Sequence, residues 1–98
     1  SSVNAIYLIS DLEDGQLYVG SAYNKDGLLG RWREYIQTKH GGNKLMKEKL
    51  KQYPERYKDF QFSVLQILPK NLSDEQVIQT ESLWKKKLSS LQFGMNDN

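Results

Sequence analysis

Two short apolar runs near the start of the chain predict a β-hairpin. Their apolar positions are Ile6, Leu8 and Ile9 in the first run, and Leu17 and Val19 in the second. The segment between them contains Asp14-Gly15, a dipeptide that tolerates the positive φ angles of tight hairpin turns. Each run also carries one tyrosine, Tyr7 or Tyr18, and a flat aromatic ring packs well on a pleated sheet.

Two helices are predicted after the hairpin. Apolar residues at helical spacing form one face of the first helix, at Leu28, Leu29, Trp32, Tyr35 and Ile36. The paired glycines of "HGG" end this helix, and Asn43 is suited to cap the next one. The second helix, which Pro54 limits, is expected to turn its lysines outward and to bury Leu45, Met46, Leu50 and Tyr53.

A third strand and a last helix complete the pattern. Both alternating sets of "DFQFSVLQIL" become apolar towards its end, which predicts a central strand covered on both faces. Ser73 and Gln76 form a capping box, with a hydrophobic staple between Leu72 and Val77, so a helix begins there. It is expected to run to about residue 90, with apolar positions at Val77, Trp84, Leu88 and Leu91.

The element order β-β-α-α-β-α predicts an α+β fold, a small three-stranded antiparallel sheet flanked by helices. With 98 residues, the chain supports one domain over 1–98 with one modest core. Because it begins with Ser1 and not Met, we expect this domain to be excised from a longer protein. No apolar run approaches the roughly 20 residues of a membrane span, and cysteine is absent, which excludes disulfides and thiolate metal sites and fits the cytoplasm.

Positive charge is concentrated in the middle third of the chain. The formal net charge is +2, and it divides into −3 over residues 1–30, +6 over 31–58 and −1 over 59–98. A concentrated basic face is typical of proteins that bind a phosphate backbone. A solvated helix surface would give the same pattern, so charge alone leaves both interpretations open.

Two polar residues occupy unusual helical positions. Glu81 comes four residues after Val77 and three before Trp84, so it lies within the apolar stripe of the last helix. A carboxylate facing a core is costly unless it is paired or bound to a metal. Arg31 lies one turn before Tyr35 on the first helix, and a guanidinium matches the geometry of a phosphate. Each residue also has an ordinary interpretation, as an edge carboxylate and a surface arginine.

The tripeptides "AIY" at 5–7 and "YVG" at 18–20 resemble the two signature tripeptides of the GIY-YIG nuclease family. "GRWREY", "HGGNKL", "TESLW" and "GMN" follow in the family's order, so the resemblance extends over residues 5–96. Two positions depart from the pattern. Ala5 replaces the first signature glycine, which a strand tolerates. Ser21 stands where some repair-type members carry lysine, which argues against that branch or for a substitute.

The resemblance implies hydrolysis of a DNA phosphodiester with one divalent cation, Mg²⁺ or Mn²⁺. Glu81 matches the glutamate that holds the metal, and Arg31 matches the arginine that contacts the scissile phosphate. Tyr7 and Tyr18 match the tyrosine pair that lines the site. One of this pair helps to activate water or acts as general base, with Tyr18 favoured and Tyr7 left open.

The resemblance also implies accessory residues. Tyr35 occupies a position that is tyrosine in some branches and histidine in others. His40 falls where homing-type members carry a functional histidine, and Asn96 would support the site from the chain end. The basic middle third would then hold the DNA backbone through Arg33, Lys39, Lys44, Lys47 and Lys51.

DNA is therefore the expected partner, with no membrane and with a DNA-recognition domain elsewhere in the full-length protein. The domain is expected to be a monomer or a weak dimer. Two other classes compete with the endonuclease: a non-catalytic nucleic-acid-binding module with the same fold, and a protein-interaction domain without salt-dependent DNA binding. The presence of both Glu81 and Arg31 favours the enzyme.

Overall fold

The fold is a three-stranded antiparallel sheet with helices on both faces, seen in a computed structural model that describes residues 3–98. The strands lie in the order β2-β1-β3, and the predicted α+β class is confirmed. The elements are β1 (Asn4–Asp11), β2 (Leu17–Ala22), α1 (Gly27–Thr38), α2 (Lys44–Gln52), a 3₁₀ turn (Arg56–Asp59), β3 (Phe60–Leu68), α3 (Asp74–Leu88) and α4 (Ser90–Phe93).

The prediction that the third strand is central was wrong. The central strand is β1, and β3 is an edge strand that pairs with β1 alone. A β-bulge explains the misleading pattern: Tyr7 lies opposite Val64 and Ile6 opposite Gln66, so Leu65 is an extra residue in β3. A bulge shifts the alternation by one residue. The two apolar sets of β3 therefore reflect a change of phase, not burial on both faces.

The sheet separates the core into two layers. Alternate β1 side chains enter opposite layers, as the period of two in a strand requires. The layer under α1 and α2 contains Ala5, Tyr7, Ile9, Ala22, Leu28, Tyr35, Met46 and Met95. The layer under α3 contains Ile6, Val19, Leu68 and Val77.

The helices agree with the sequence pattern at their starts more than along their faces. The Ser73–Gln76 capping box is present, and Asn43 caps α2 by accepting from the Met46 N–H. Several residues predicted to be buried are largely exposed, namely Leu29, Ile36, Tyr53 and Leu91. The buried stripes are narrower than predicted because the sheet covers only one side of each helix. None of the helices within residues 3–98 is long and apolar enough to cross a membrane.

Four charged side chains tie the hairpin to α2 and the 3₁₀ turn, and we call them the hairpin cluster: Asp11, Asp14, Lys49 and Arg56. The ammonium of Lys49 lies 2.7 Å from a carboxylate oxygen of both Asp11 and Asp14. The guanidinium of Arg56 lies 2.9 Å and 3.2 Å from the same two oxygens. Lys49 thus faces inward, contrary to the prediction that all the α2 lysines face solvent, because the fully buried Asp11 needs a partner.

Candidate active site

Tyr7 reaches across β2 because Gly20 has no side chain. The two residues are direct partners in the β1–β2 register. A Cβ atom on Gly20 would lie 2.4 Å from the Tyr7 ring, which is far inside van der Waals contact. The Tyr18 ring lies on the same side of the sheet, with its centroid 6.3 Å from that of Tyr7. The two signature tyrosines are therefore neighbours, and the signature glycine makes room for the first.

Tyr35 joins this pair from α1. Its hydroxyl lies 3.1 Å from the Tyr7 hydroxyl, and the two rings meet edge to face with centroids 5.9 Å apart. The loop after α1 makes room for Tyr35, since a Cβ atom on Gly41 would lie 2.5 Å from its ring and Gly41 also has φ +58°. The "HGG" segment thus ends the helix and also leaves space for the Tyr35 ring.

Burial keeps two of the three phenols protonated. Burial raises the pKa of Tyr7 far above its usual value, Tyr18 adds to the rise, and the Tyr35 hydrogen bond and Arg31 offset only part of it. Burial likewise raises the pKa of Tyr35, and the nearby Tyr7 and Tyr18 add to it. Neither phenol is suited to lose its proton at neutral pH. Tyr18, by contrast, is half-buried.

Arg31 presents its guanidinium beside the tyrosines. Its side chain is 30% exposed, and its ion pair is a 3.4 Å contact with Glu34, the residue one turn along α1. Burial works against its charge, but Tyr7 and Glu34 outweigh that effect and leave the pKa of Arg31 above its usual value. The guanidinium is therefore charged and loosely held, which suits it for an incoming phosphate.

Glu81 lies on the other side of β2, under α3. Its Oε1 accepts a hydrogen bond of 2.5 Å from the Ser21 hydroxyl, and its Oε2 lies 2.7 Å from the Lys85 ammonium. Ser21 follows Gly20 directly, so the carboxylate and the tyrosines flank consecutive residues of one strand. Glu81 also makes the smallest of the contributions that raise the pKa of Tyr7.

The donors around Glu81 fit a single hydrated cation. Within residues 3–98, no group of three His, Cys, Asp or Glu side chains could hold a metal ion together. A lone carboxylate with a neighbouring hydroxyl suits Mg²⁺, which keeps several waters and takes its remaining oxygens from substrate phosphate. The Glu81 side chain is 18% exposed, which leaves it within reach of such an ion.

Asn96 braces β2. Its Oδ1 accepts from the Val19 N–H at 2.8 Å, and its Nδ2 donates to the Val19 carbonyl at 3.0 Å. The side-chain amide thus acts as a short extra strand segment between Tyr18 and Gly20. Asn96 is buried, and its amide is hydrogen-bonded to Val19 through both its oxygen and its nitrogen, so it holds β2 in place.

His40 and three of the predicted backbone-binding residues, Lys39, Lys47 and Lys51, line one surface groove. The His40 Nδ1 accepts from the Gly42 N–H at 2.9 Å, and burial together with Lys47 lowers the pKa of His40, which leaves the imidazole neutral. A surface groove of about 430 Å³ is lined by Thr38, Lys39, His40, Lys47, Leu50, Lys51, Pro54 and Tyr57. Arg33 is two residues from Arg31 and so faces a different side of α1, and Lys44 is exposed at the start of α2.

Sequence reasoning missed two contacts of Glu81. Lys85 follows Glu81 by one helical turn, a spacing that favours an ion pair. This spacing could have predicted the contact between Glu81 and Lys85. Ser21 appeared only as a departure from the lysine of repair-type members. Its contact with Glu81 depends on how α3 crosses β2, which no spacing in the chain reveals.

The fold and the matched sequence place this chain in a known class of nuclease domain. The family model described as the GIY-YIG catalytic domain matches residues 3–96, and the chain belongs to the GIY-YIG family. It is an endonuclease domain with DNA as its substrate class, and dependence on a divalent metal is general in this family.

Solved structures of the same fold come from the endonuclease I-TevI. A mutant of the catalytic domain of intron endonuclease I-TevI superimposes with a TM-score of 0.77 at 22% identity, covering 99% of this chain and 95% of that one. The catalytic domain of homing endonuclease I-TevI gives a TM-score of 0.71 at 22% identity, covering 97% of this chain and 98% of that one. At this identity the likeness shows the fold. No curated protein matches the chain significantly.

Proposed function

We propose that this domain cuts DNA with one divalent cation held by Glu81, with Arg31 on the scissile phosphate and Tyr18 on the attacking water. The observation that carries the proposal is the position of Glu81. Its half-buried carboxylate stands across one strand from a cluster of three tyrosines and a loosely held arginine. The carboxylate and the tyrosines thus flank Ser21 and Gly20, two consecutive residues of β2.

Arg31 and the cation would share the charge of the phosphate. A guanidinium forms two parallel hydrogen bonds to phosphate oxygens and stabilises charge that develops there. A bound cation would act as a Lewis acid on the phosphate and shield the leaving oxygen. Arg31 is suited to its part because its contact with Glu34 is long and partly exposed.

The buried tyrosines and the half-buried tyrosine would have different roles. Tyr7 and Tyr35 hydrogen-bond each other and hold their protons, so we assign them to orienting the site and donating hydrogen bonds. Tyr18 is the remaining phenol, and we assign it to positioning and activating the water. A free phenol is a poor base at neutral pH, so Tyr18 depends on Arg31 or the cation for help.

The basic residues would position the DNA backbone. Lys39, Lys47 and Lys51 line one groove with His40, and backbone contacts of this kind fix position without reading sequence. We therefore propose an accessory role for His40 in this groove and not at the phosphate being cut. Arg33 and Lys44 would contact flanking phosphates, and target selection would come from a recognition domain elsewhere in a longer protein.

The test is plasmid nicking by the purified domain with Mg²⁺ or Mn²⁺. Glu81→Gln should lower the rate by about 10³-fold, the scale expected when one key electrostatic group is removed. A chelator should abolish cleavage by the parent. Glu48→Gln, the same change at an exposed residue of α2, should cut at the parental rate. Cleavage by Glu81→Gln at the parental rate would overturn the assignment of the metal to Glu81.

A further inference from the structure

Lys85 is a buried lysine beside the carboxylate assigned to the metal. The residue is 8% exposed, and its ammonium lies 2.7 Å from Glu81 Oε2. The ammonium also donates to the backbone oxygen of Asn98 at 2.8 Å. An ammonium is costly to bury unless it is paired, so its partnership with Glu81 explains why it can lie under the sheet.

Both oxygens of Glu81 are already engaged. Ser21 occupies one and Lys85 the other. A divalent cation on either oxygen would lie close to the ammonium in a partly desolvated place, where like charges repel more strongly than in water. The ion and the ammonium therefore compete for one carboxylate.

Replacement of the Lys85 ammonium by the ion at Glu81 needs no movement of the helices or strands. Glu81 and Lys85 are four residues apart on α3, so their pair joins no separate elements. A lysine carries its charge on a flexible four-carbon stem. The ammonium can leave the carboxylate by rotating that stem, while α3 and β2 stay in place.

We propose that Lys85 is an internal countercation that holds the charge of Glu81 in the metal-free domain and must be displaced when the ion binds. This inference rests on the proposed function, in which Glu81 holds the ion. Lys85 is a positioning residue that acts through Glu81. It weakens the affinity of the free domain for the ion, and so favours filling of the site when DNA phosphates add their own oxygens and charge.

Direct Mn²⁺ binding to the DNA-free domain, measured by calorimetry and by electron paramagnetic resonance, tests this inference. Lys85→Met keeps an unbranched apolar stem and removes the charge. It should bind Mn²⁺ at least about tenfold more tightly than the parent, which corresponds to about 1.4 kcal/mol. Mn²⁺ should also raise the melting temperature of Lys85→Met more than that of the parent, because tighter binding to the folded state stabilises it more.

Matched variants test the role of Lys85 separately from the role of Glu81 as metal ligand. Lys86→Met makes the same charge change at the next, exposed residue of α3 and should leave Mn²⁺ affinity unchanged. Lys85→Gln serves as a second neutral variant if Lys85→Met folds poorly, as judged by circular dichroism. Unchanged or weaker Mn²⁺ binding in folded Lys85 variants would overturn the competition while leaving Glu81 as ligand. Binding that survives Glu81→Gln would overturn both proposals.

Discussion

The domain contains two partly buried ion-pair groups to which we assign different tasks. In the hairpin cluster, Asp11 pairs with Lys49 and Arg56, which are 38 and 45 residues away along the chain. At the site, Glu81 pairs with Lys85 on its own helix, four residues away. The first group joins a hairpin to α2 and the 3₁₀ turn, whereas the Glu81–Lys85 pair lies within α3 alone.

The difference shows how a fold can keep one charge fixed and another available. Opening the hairpin cluster leaves the buried Asp11 carboxylate without its cationic partners, and it removes a link between the hairpin, α2 and the 3₁₀ turn. Opening the Glu81–Lys85 pair moves one side chain and breaks its contacts with Glu81 and with the Asn98 backbone oxygen. A buried ion pair is weak evidence for stability by itself, and here the connectivity of the pair decides its role.

The largest expected effect on stability comes from Asp11→Asn. It removes a buried charge that two cations face, and breaking such a pair typically costs about 3 kcal/mol of unfolding free energy. Denaturant unfolding measures this loss. Glu55→Gln breaks the exposed pair with Lys58 and should change stability by less than about 1 kcal/mol. Equal losses of unfolding free energy in the two variants would mean that the hairpin cluster stabilises the fold no more than an exposed ion pair does.

A slightly smaller effect, on rate, is expected from Arg31→Lys. The ammonium keeps the charge but loses the fork that matches a phosphate, so nicking should slow by about 10²-fold with little change in stability. Arg33→Lys, on another side of α1, is the matched control and should cut almost normally. Arg56 offers the contrast, since two carboxylates hold it at 2.9 Å and 3.2 Å. An Arg31→Lys variant that cuts at the parental rate would remove Arg31 from the site.

The smallest effect is a pH dependence of stability that belongs to the hairpin cluster. Burial alone would raise the pKa of Asp11, but hydrogen bonds from Lys49, Arg56 and the Glu13 N–H outweigh it and hold the pKa below its usual 3.8. The stability from charged Asp11 is therefore complete above pH 4 and is lost as pH falls through the lower folded pKa.

Unfolding free energies from pH 6 down to pH 2 check this dependence. Asp11→Asn should give a flatter curve than the parent below pH 4, while the two curves run parallel above it. Two curves that stay parallel over the whole range would show that Asp11 is not held ionised by its partners.

The sequence predicted local features well and tertiary ones poorly. The element order and the Ser73 capping box follow from short-range patterns and were confirmed. The central position of the third strand was wrong because one bulge at Leu65 shifted the alternation. The use of Gly20 as a gap for the Tyr7 ring depends on strand register, which the sequence of either strand alone does not specify.

The central claim is that Glu81 serves chemistry and Asp11 serves the fold. It is tested most directly by measuring nicking rate and unfolding free energy together on Glu81→Gln and Asp11→Asn, at a temperature where both are folded. We expect Glu81→Gln to lose activity with a smaller loss of unfolding free energy than Asp11→Asn, because the Lys85 ammonium can turn towards solvent on its flexible stem when its partner loses the charge. Asp11→Asn should keep its activity and lose more stability. Loss of activity in Asp11→Asn equal to that in Glu81→Gln, or full activity in Glu81→Gln, would contradict the account.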